Sequence, residues 1–459
     1  MNKPVDQREH GEEPKAPPGR RRALAAGSVG NFIEWYEFGV YGYFATTIAA
    51  QFFSPEGTGD LESLVKTYAS FALAFFFRPV GAALFGRLGD RIGRRPVLIL
   101  VVLLMSGATT LIGLLPTYAT VGAAAPWLLT AVRIVQGLSA GGEFGGAVAV
   151  MTEFAPPGRR GLYGAWQSFT VALGLLGGAG AAALLATLLS TAQLNDWGWR
   201  IPFLLSLPLG LIALWLRLRL EETPSFQRTA AGRPPGEDAS RAPVDRASPR
   251  ATARAVALGA GRLMGWSAAG YTFLVVLPGY LQVALDASFQ QALLAAVVSN
   301  LGFAAVILPA GMLSDRIGRR PVMVAGMVLV VLLAFPLMSL LQDGDAPTWA
   351  KGLGVCAAGA AVGLAAGPGP AMLAEMFPTD VRYIGLGLAY ALSNAIFSGS
   401  AGLIITELIE HTGNADIPAY YVAATCLVSI GALLTLRGDA HRRPLREAGH
   451  EAPSTRSEA

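Results

Sequence analysis

Charged side chains are scarce in this sequence, at 14% of 459 residues against roughly 25% in an ordinary soluble protein. A chain of this length with so little charge, 53% apolar residues and a mean hydropathy of +0.47 cannot cover itself with polar surface. Cysteine is scarcer still: Cys356 and Cys426 both fall inside apolar runs, so neither a disulfide framework nor a metal framework can be read from them. Only four lysines occur and none sits in a G-x-x-x-x-G-K-[ST] loop, which excludes an ATP-driven pump on this chain. The four histidines (His10, His411, His441 and His450) all lie away from the middle of any apolar run, so a histidine proton relay is not expected. No nucleophile, metal cluster or paired acid and base marks an enzyme. The 55 glycines lie within apolar stretches, which argues against a disordered chain.

What the sequence has is long apolar runs. About 20 apolar residues cross a hydrocarbon core of roughly 30 Å, and twelve such segments are predicted, at 24–52, 63–86, 96–116, 122–152, 162–189, 199–219, 255–284, 288–313, 321–342, 348–375, 383–409 and 417–437. Arginine placement orients them, because cytoplasmic loops retain positive charge. Alternate loops carry Arg20 to Arg22, Arg87 to Arg95, Arg159 and Arg160, the central polar stretch, Arg316 to Arg320, Arg382, and the tail from Arg437. The opposite loops hold only Lys66, Arg200 and Lys351, each at a span edge. Both termini are therefore expected in the cytoplasm, and the pI near 9.1 reports topology, with no nucleic-acid partner implied.

The polar, proline- and arginine-rich stretch at 221–254 reads as a linker. The expected organisation is a tail at 1–22, a six-helix bundle at 23–220, that linker, a second bundle at 255–437 and a tail at 438–459. A repeat supports the division. GRLGDRIGRRP begins at Gly86 and GMLSDRIGRRP at Gly311, nine of eleven positions being identical, each between the second and third spans of its half. A weaker echo pairs Glu153, Pro156, Arg159 and Gly161 with Glu375, Pro378, Arg382 and Gly385. The fold class expected is an all-α membrane protein of two parallel six-span repeats.

The repeated G-x-L-x-D-R-x-G-R-R loop resembles that of the major facilitator superfamily, and the resemblance spans essentially the whole chain. Finer motifs are similar to the metabolite:proton symporter family within it: NFIEWYEFGVYG from Asn31, FFFRPVGAALFGRLGDRIGRRP from Phe75, RIVQGLSAGGEFGGA from Arg133, WGWRIPF from Trp197, EETPSF from Glu221 and AEMFPTDVRYIG from Ala374. That family includes importers of proline and glycine betaine, α-ketoglutarate, citrate and shikimate. The resemblance thus implies proton-coupled import by alternating access across the cell's inner membrane, with H⁺ as coupling ion, no cofactor and a monomer as the working unit. FGVYG at Phe38 to Gly42 leans toward the proline/betaine branch; a symporter of mono-, di- or tricarboxylates is the alternative, and a proton-coupled exporter stands third. Two departures matter. Glu37 stands where the family usually has aspartate, and FSGSAG from Phe397 replaces a segment in which relatives often have Gly-Gly and a proline.

A charge in mid-membrane costs about 2.5–3.5 kcal/mol, so each needs a partner or a role. Glu34, Glu37, Arg78, Arg133, Glu143 and Arg262 are the charges within spans, three acids and three bases. Arg78 and Arg262 are predicted near enough to the span ends to snorkel. Asn31, Glu34, Phe38 and Tyr41 share one helical face by 3, 4 and 3 spacing, with Glu37 about 60° away. The proton-coupling candidates are Glu37, then Glu143, then Glu34. The substrate candidates are Asn31, Glu34, Tyr41, Arg133, Gln136, Tyr271, Tyr390 and Asn394; Arg133 with Gln136 matches an R-x-x-Q-G element of many facilitators. An arginine fork can bind a carboxylate bidentately or hold an internal acid, and aromatic walls suit a quaternary ammonium. For every one of these residues, locking or packing helices is the competing reading. Asp90, Arg91, Arg94, Arg95 and Glu153, with Asp315, Arg316, Arg319, Arg320 and Glu375, form a candidate ionic latch: the aspartates cap the adjacent helix and the arginines bind acids at span ends.

Overall fold

The computed structural model describes residues 20–54, 60–92, 94–141, 144, 148, 151–152, 155–156, 158–218, 249–377 and 379–436. Every secondary-structure element among them is a helix. In chain order the long ones are α1 (Arg20–Tyr43), α2 (Asp60–Ile92), α3 (Arg94–Leu114), α4 (Ala124–Ala140), α5 (Arg160–Leu188) and α6 (Ser206–Leu218). The second set is α7 (Pro249–Tyr271), α8 (Phe289–Ile317), α9 (Arg319–Gln342), α10 (Thr348–Ala366), α11 (Thr379–Ser393) and α12 (Ile417–Leu434). Among the described residues ten helices are long and apolar enough to cross a membrane. The two long helices outside that set are α1, whose window carries arginines and two glutamates, and α4, which ends at Ala140. Helices α1 and α7 start at Arg20 and Pro249, slightly before the apolar runs, because arginine and alanine are good helix formers in water.

The packing repeats with a shift of six helices. α1 packs on α5 as α7 does on α11; α2 packs on α4 as α8 does on α10; α3 packs on α6 as α9 does on α12. The seams between the halves, α5 on α8 and α2 on the α11 region, exchange under the same shift. Each local feature agrees with that plan. Ser288 caps α8 by accepting from the Gln291 N–H at 3.2 Å while its own N–H donates to Gln291 Oε1 at 3.2 Å. Gly318 ends α8 at φ 99°, a conformation that side chains resist, and α9 begins with the next residue. In the second D-R-I-G-R-R loop Gly318 thus makes a turn that another residue would strain.

Outward-facing surfaces are apolar, with Leu114, Leu188, Leu332 and Leu353 all exposed. Trp127 and Trp349, at the starts of α4 and α10, are exposed at the end opposite Arg319, where amphipathic rings anchor at a membrane interface. Two π-helical turns, Thr272–Val276 and Asn394–Gly399, interrupt the second half right after Tyr271 and at Asn394. Such turns re-aim side chains and frequently occur at functional sites.

Candidate functional site

Three first-half helices converge at the centre because glycines let α4 lie against α2. A Cβ at Gly137 would run into the Ala74 carbonyl, and one at Gly141 into the Arg78 carbonyl. That approach buries Arg133 completely and brings Arg78 to the same level. Arg78 was expected to snorkel; instead α2 continues to Ile92, which leaves Arg78 well inside the helix and 3% exposed.

Aromatic faces enclose both guanidinium groups. Arg78 Cζ lies 4.2 Å from the ring centres of Phe38 and Phe75 and 5.6 Å from that of Trp35. Arg133 Cζ lies 4.0 Å from Tyr41, 4.9 Å from Phe71 and 5.3 Å from Phe38. Each such contact contributes about 0.5–2 kcal/mol, more when desolvated. Tyr271 closes the enclosure from the other half, 5.3 Å from Phe75 and 6.0 Å from Trp35, and its hydroxyl has no hydrogen-bond partner among the described residues.

The acids sit at the edge of this enclosure. Arg78 Nη2 is 3.4 Å from Glu34 Oε1. Glu37 Oε2 accepts from Thr109 Oγ1 at 3.0 Å, Thr109 Oγ1 accepts from Gln136 Nε2 at 2.6 Å, and Gln136 Oε1 accepts from Arg133 Nη1 at 2.6 Å. Arg133 Nε and Nη2 make no hydrogen bond among the described residues. Two donor nitrogens buried without an acceptor are costly, and their fork geometry matches a carboxylate.

The other expected residues are placed as follows. Asn31 donates to Gln167 O at 3.0 Å and Thr170 Oγ1 at 2.6 Å, tying α1 to α5. Tyr41 shares a hydrogen bond with Ser70 Oγ. Asn394 donates to Tyr390 O at 3.0 Å. Tyr390 stacks on Phe144 with centroids 3.3 Å apart and planes 4° from parallel, so an α11 ring meets a first-half ring between the centre and the arginine-rich end. Glu143 and Glu153 lie outside the described residues, as do the side chains of Asp90, Arg91, Arg94 and Arg95. Thr109 and Phe144 were not singled out in the sequence. One threonine in an apolar helix and one phenylalanine among many carry no spacing signal.

At the arginine-rich end the second copy of the repeated loop joins the halves. Asp315 accepts from the backbone N–H groups of Gly161 at 2.7 Å and Leu162 at 2.9 Å, at the start of α5. The aspartate was expected to cap the adjacent helix; it caps one in the other half, because the α8–α5 seam brings that N-terminus within reach. Arg319 bonds Asp315 Oδ1 at 2.7 Å and Ser314 Oγ at 2.8 Å through Nη1, and grips Glu375 through Nη2 at 2.9 Å and Nε at 3.3 Å. Arg160 Nη1 adds a 3.6 Å approach to Glu375. Arg316 is exposed and Arg320 half-buried. At the opposite end lies a cavity of about 470 Å³, lined by Thr46, Thr47 and Asn195 of the first half and Gln282, Ser288 and Gln290 of the second.

Comparison with known proteins decides what this architecture is. Residues 23–242 match the family described as sugar (and other) transporter, and residues 258–458 match the major facilitator superfamily. The proline/betaine transporter of Escherichia coli (strain K12) is 35% identical over 432 residues, covering 93% of this chain and 85% of the relative. The chain belongs to the major facilitator superfamily. This facilitator is also 34% identical to a glycine betaine/proline/ectoine/pipecolic acid transporter of Dickeya dadantii (strain 3937), over 93% of the chain and 85% of the relative. An inner membrane metabolite transport protein of Escherichia coli (strain K12) is 34% identical over 91% of this chain and 94% of the relative. Among solved structures, the proton:xylose symporter bound to 6-bromo-6-deoxy-D-glucose superposes with a TM-score of 0.72 at 19% identity, covering 90% of this facilitator and 94% of that chain. The inward open conformation of the xylose transporter from E. coli gives 0.68 at 17%, covering 90% and 95%. At that identity the likeness shows the fold. The facilitator is a multi-pass membrane transporter of small solutes, not an enzyme.

Proposed function

We propose that this facilitator imports a zwitterionic osmolyte of the proline or glycine betaine kind together with a proton. The observation that carries this reading is the centre of the first half: Arg133, wholly buried, offers two nitrogens without a hydrogen bond among the described residues, inside an aromatic enclosure bordered by the chain to Glu37. A ligand carboxylate satisfies the N–H groups, and its ammonium finds the face of Tyr271. Tyr390 and Asn394 form the wall toward the arginine-rich end, and Glu34 holds Arg78 in position. The names of the relatives, which carry proline, betaine and ectoine, support the same class.

In this reading Glu37 carries the coupling proton. Buried Arg133 needs a nearby negative charge, supplied either by ionised Glu37 or by the ligand carboxylate. Protonating Glu37 therefore favours binding of the carboxylate, and the proton and solute move together. The twelve long helices are twelve spans, with both termini and the arginine-rich end in the cytoplasm of the cell whose inner membrane holds the protein. The two bundles span 23–220 and 255–437 around a linker at 221–254; the family matches, at 23–242 and 258–458, support a division into two parts. The form described is closed toward the cytoplasm by Phe144 on Tyr390 and by the latch of Asp315, Arg319 and Glu375 with the start of α5. The cavity at the other end is the approach for solute. A monomer suffices, since both walls of the centre come from one chain.

The test is uptake of labelled proline, glycine betaine, α-ketoglutarate, citrate and shikimate by a transport-deficient host, with and without a protonophore. Protonophore-sensitive accumulation of the two zwitterions is expected. Accumulation that survives the protonophore removes the symport claim, and faster carboxylate uptake reverses the substrate class.

A further inference from the structure

We propose that the Thr109 hydroxyl is the element through which Glu37 and Arg133 sense each other, an inference that rests on the symport reading above. Thr109 projects from α3 between Glu37 on α1 and Gln136 on α4, and all four side chains of the relay are wholly buried. Its Oγ1 lies 3.0 Å from two acceptors, Glu37 Oε2 and the Met105 carbonyl, and 2.6 Å from the Gln136 amide nitrogen. A hydroxyl has one proton to give and two lone pairs. It can therefore donate to Glu37 or to Met105, never to both at once, while accepting from Gln136 in either case. Neighbouring Thr110 offers no such choice in this geometry, since its hydroxyl donates to Ser106 O at 2.7 Å.

The direction of the relay is fixed by chemistry. Arginine only donates, so Gln136 presents its oxygen to Arg133 and its NH₂ to Thr109. With Glu37 ionised, every bond runs from Arg133 toward the carboxylate, and each donor polarises the next. When Glu37 takes up a proton on Oε2, the new O–H donates to Thr109 Oγ1 and the Thr109 proton rotates to the Met105 carbonyl. No covalent bond at Thr109 changes, and on release the same steps reverse. Arg133 then faces a relay that no longer ends in an anion, and its N–H groups at Nε and Nη2 become the place for a carboxylate. Among the described residues the other charges of the centre are Glu34 on α1 and Arg78 on α2, which pair with each other. Glu37, Thr109, Gln136 and Arg133 all belong to the first half, so the relay stays intact as the halves move.

Thr109 is a positioning residue, and its role is read from the number of protons moved per solute. The purified full chain in proteoliposomes is given labelled glycine betaine, with proton entry followed by a trapped pH-sensitive dye, in wild type, Thr109→Val, Thr109→Ala and Thr109→Ser. Val and Ala are expected to lower the proton-to-betaine ratio about tenfold, as loss of a hydrogen bond to a charged group implies, while Ser restores it. Because the ratio does not depend on rate, a slow variant still reports. An unchanged ratio in Val and Ala overturns the relay, and so does a Ser variant as uncoupled as Val, which would make packing the cause. Wild-type protein that exchanges betaine without proton movement sinks the symport reading itself, and the relay with it.

Discussion

Two buried arginines, Arg319 at the latch and Arg133 at the centre, show what distinguishes a structural ion pair from a binding group. All three guanidinium nitrogens of Arg319 are engaged, by Glu375, Asp315 and Ser314 at 2.7 to 3.3 Å. Arg133 uses one nitrogen on Gln136 and leaves two without a hydrogen bond among the described residues. Both are buried, so exposure does not separate them. Saturation does: every guanidinium nitrogen of the first is engaged, whereas the second offsets its burial through ring faces and a relay while keeping two nitrogens for a ligand.

The largest expected effect tests the unsaturated member. Arg133→Lys keeps the charge and loses the fork. Initial uptake of labelled glycine betaine, normalised to the amount of protein in the membrane, is expected to fall at least about 30-fold, the lower end for truncating one partner of a buried charge pair. Uptake within about threefold of wild type would show that a point charge suffices, and would remove the bidentate role.

Next comes the saturated member. Asp315→Asn removes the charge from the start of α5 and weakens the grip on Arg319, so the arginine-rich end should open more often. Ser168 reports this, because it is wholly buried at the seam with its hydroxyl donating to Ala366 O at 3.0 Å. The native thiols give little background, Cys426 being buried and Cys356 half-buried. Maleimide labelling of Ser168→Cys is expected to accelerate about 5- to 30-fold in the Asp315→Asn background, for a cap contributing roughly 1–2 kcal/mol. Equal labelling rates would mean that the latch does not hold this end shut.

The contrast also explains how much was legible in the sequence. Long apolar runs and the repeat from Gly86 and Gly311 foretold the helices and their six-helix shift, because each is a local or periodic property. Arg133, Gln136, Glu34 and Glu37 stood out because a charge or amide in an apolar run is conspicuous. The depth of Arg78 was misjudged, since depth follows from where a helix ends, and α2 runs six residues past the expected limit, to Ile92 against 86. Asn31 looked like a cavity residue by helical face, yet its amide is tied to α5. Spacing along one helix names a face without naming the neighbour it meets. Thr109 meets Glu37 and Gln136, and Phe144 meets Tyr390, through contacts distant in sequence, which no local pattern announces.

A smaller effect separates ring face from hydroxyl at the centre. Tyr271→Phe retains the aromatic face opposite Trp35 and Phe75, whereas Tyr271→Leu removes it. For glycine betaine the half-saturating concentration is expected to rise about 2- to 5-fold more in Leu than in Phe, one cation–π contact of about 0.5–1 kcal/mol. Identical shifts in the two variants would assign the contribution to the hydroxyl, and no shift in either would take Tyr271 out of the ligand wall.

The smallest effect is the sharpest on the latch, because it sets two arginines of one motif against each other. Arg316 and Arg319 are equivalent as charges in D-R-I-G-R-R, and both count equally toward membrane orientation. Arg319 is buried on Asp315 and Glu375, whereas Arg316, three residues earlier, points to the surface. If the loop acts through specific hydrogen bonds, Arg316→Gln should change uptake by no more than about twofold, as for a surface substitution within about 0.5 kcal/mol, while Arg319→Gln removes the cation that Glu375 and Asp315 share and raises Ser168→Cys labelling. If the two variants labelled alike, the loop would work through its total positive charge, and the distinction between saturated and unsaturated arginines would have no bearing on how the arginine-rich end closes.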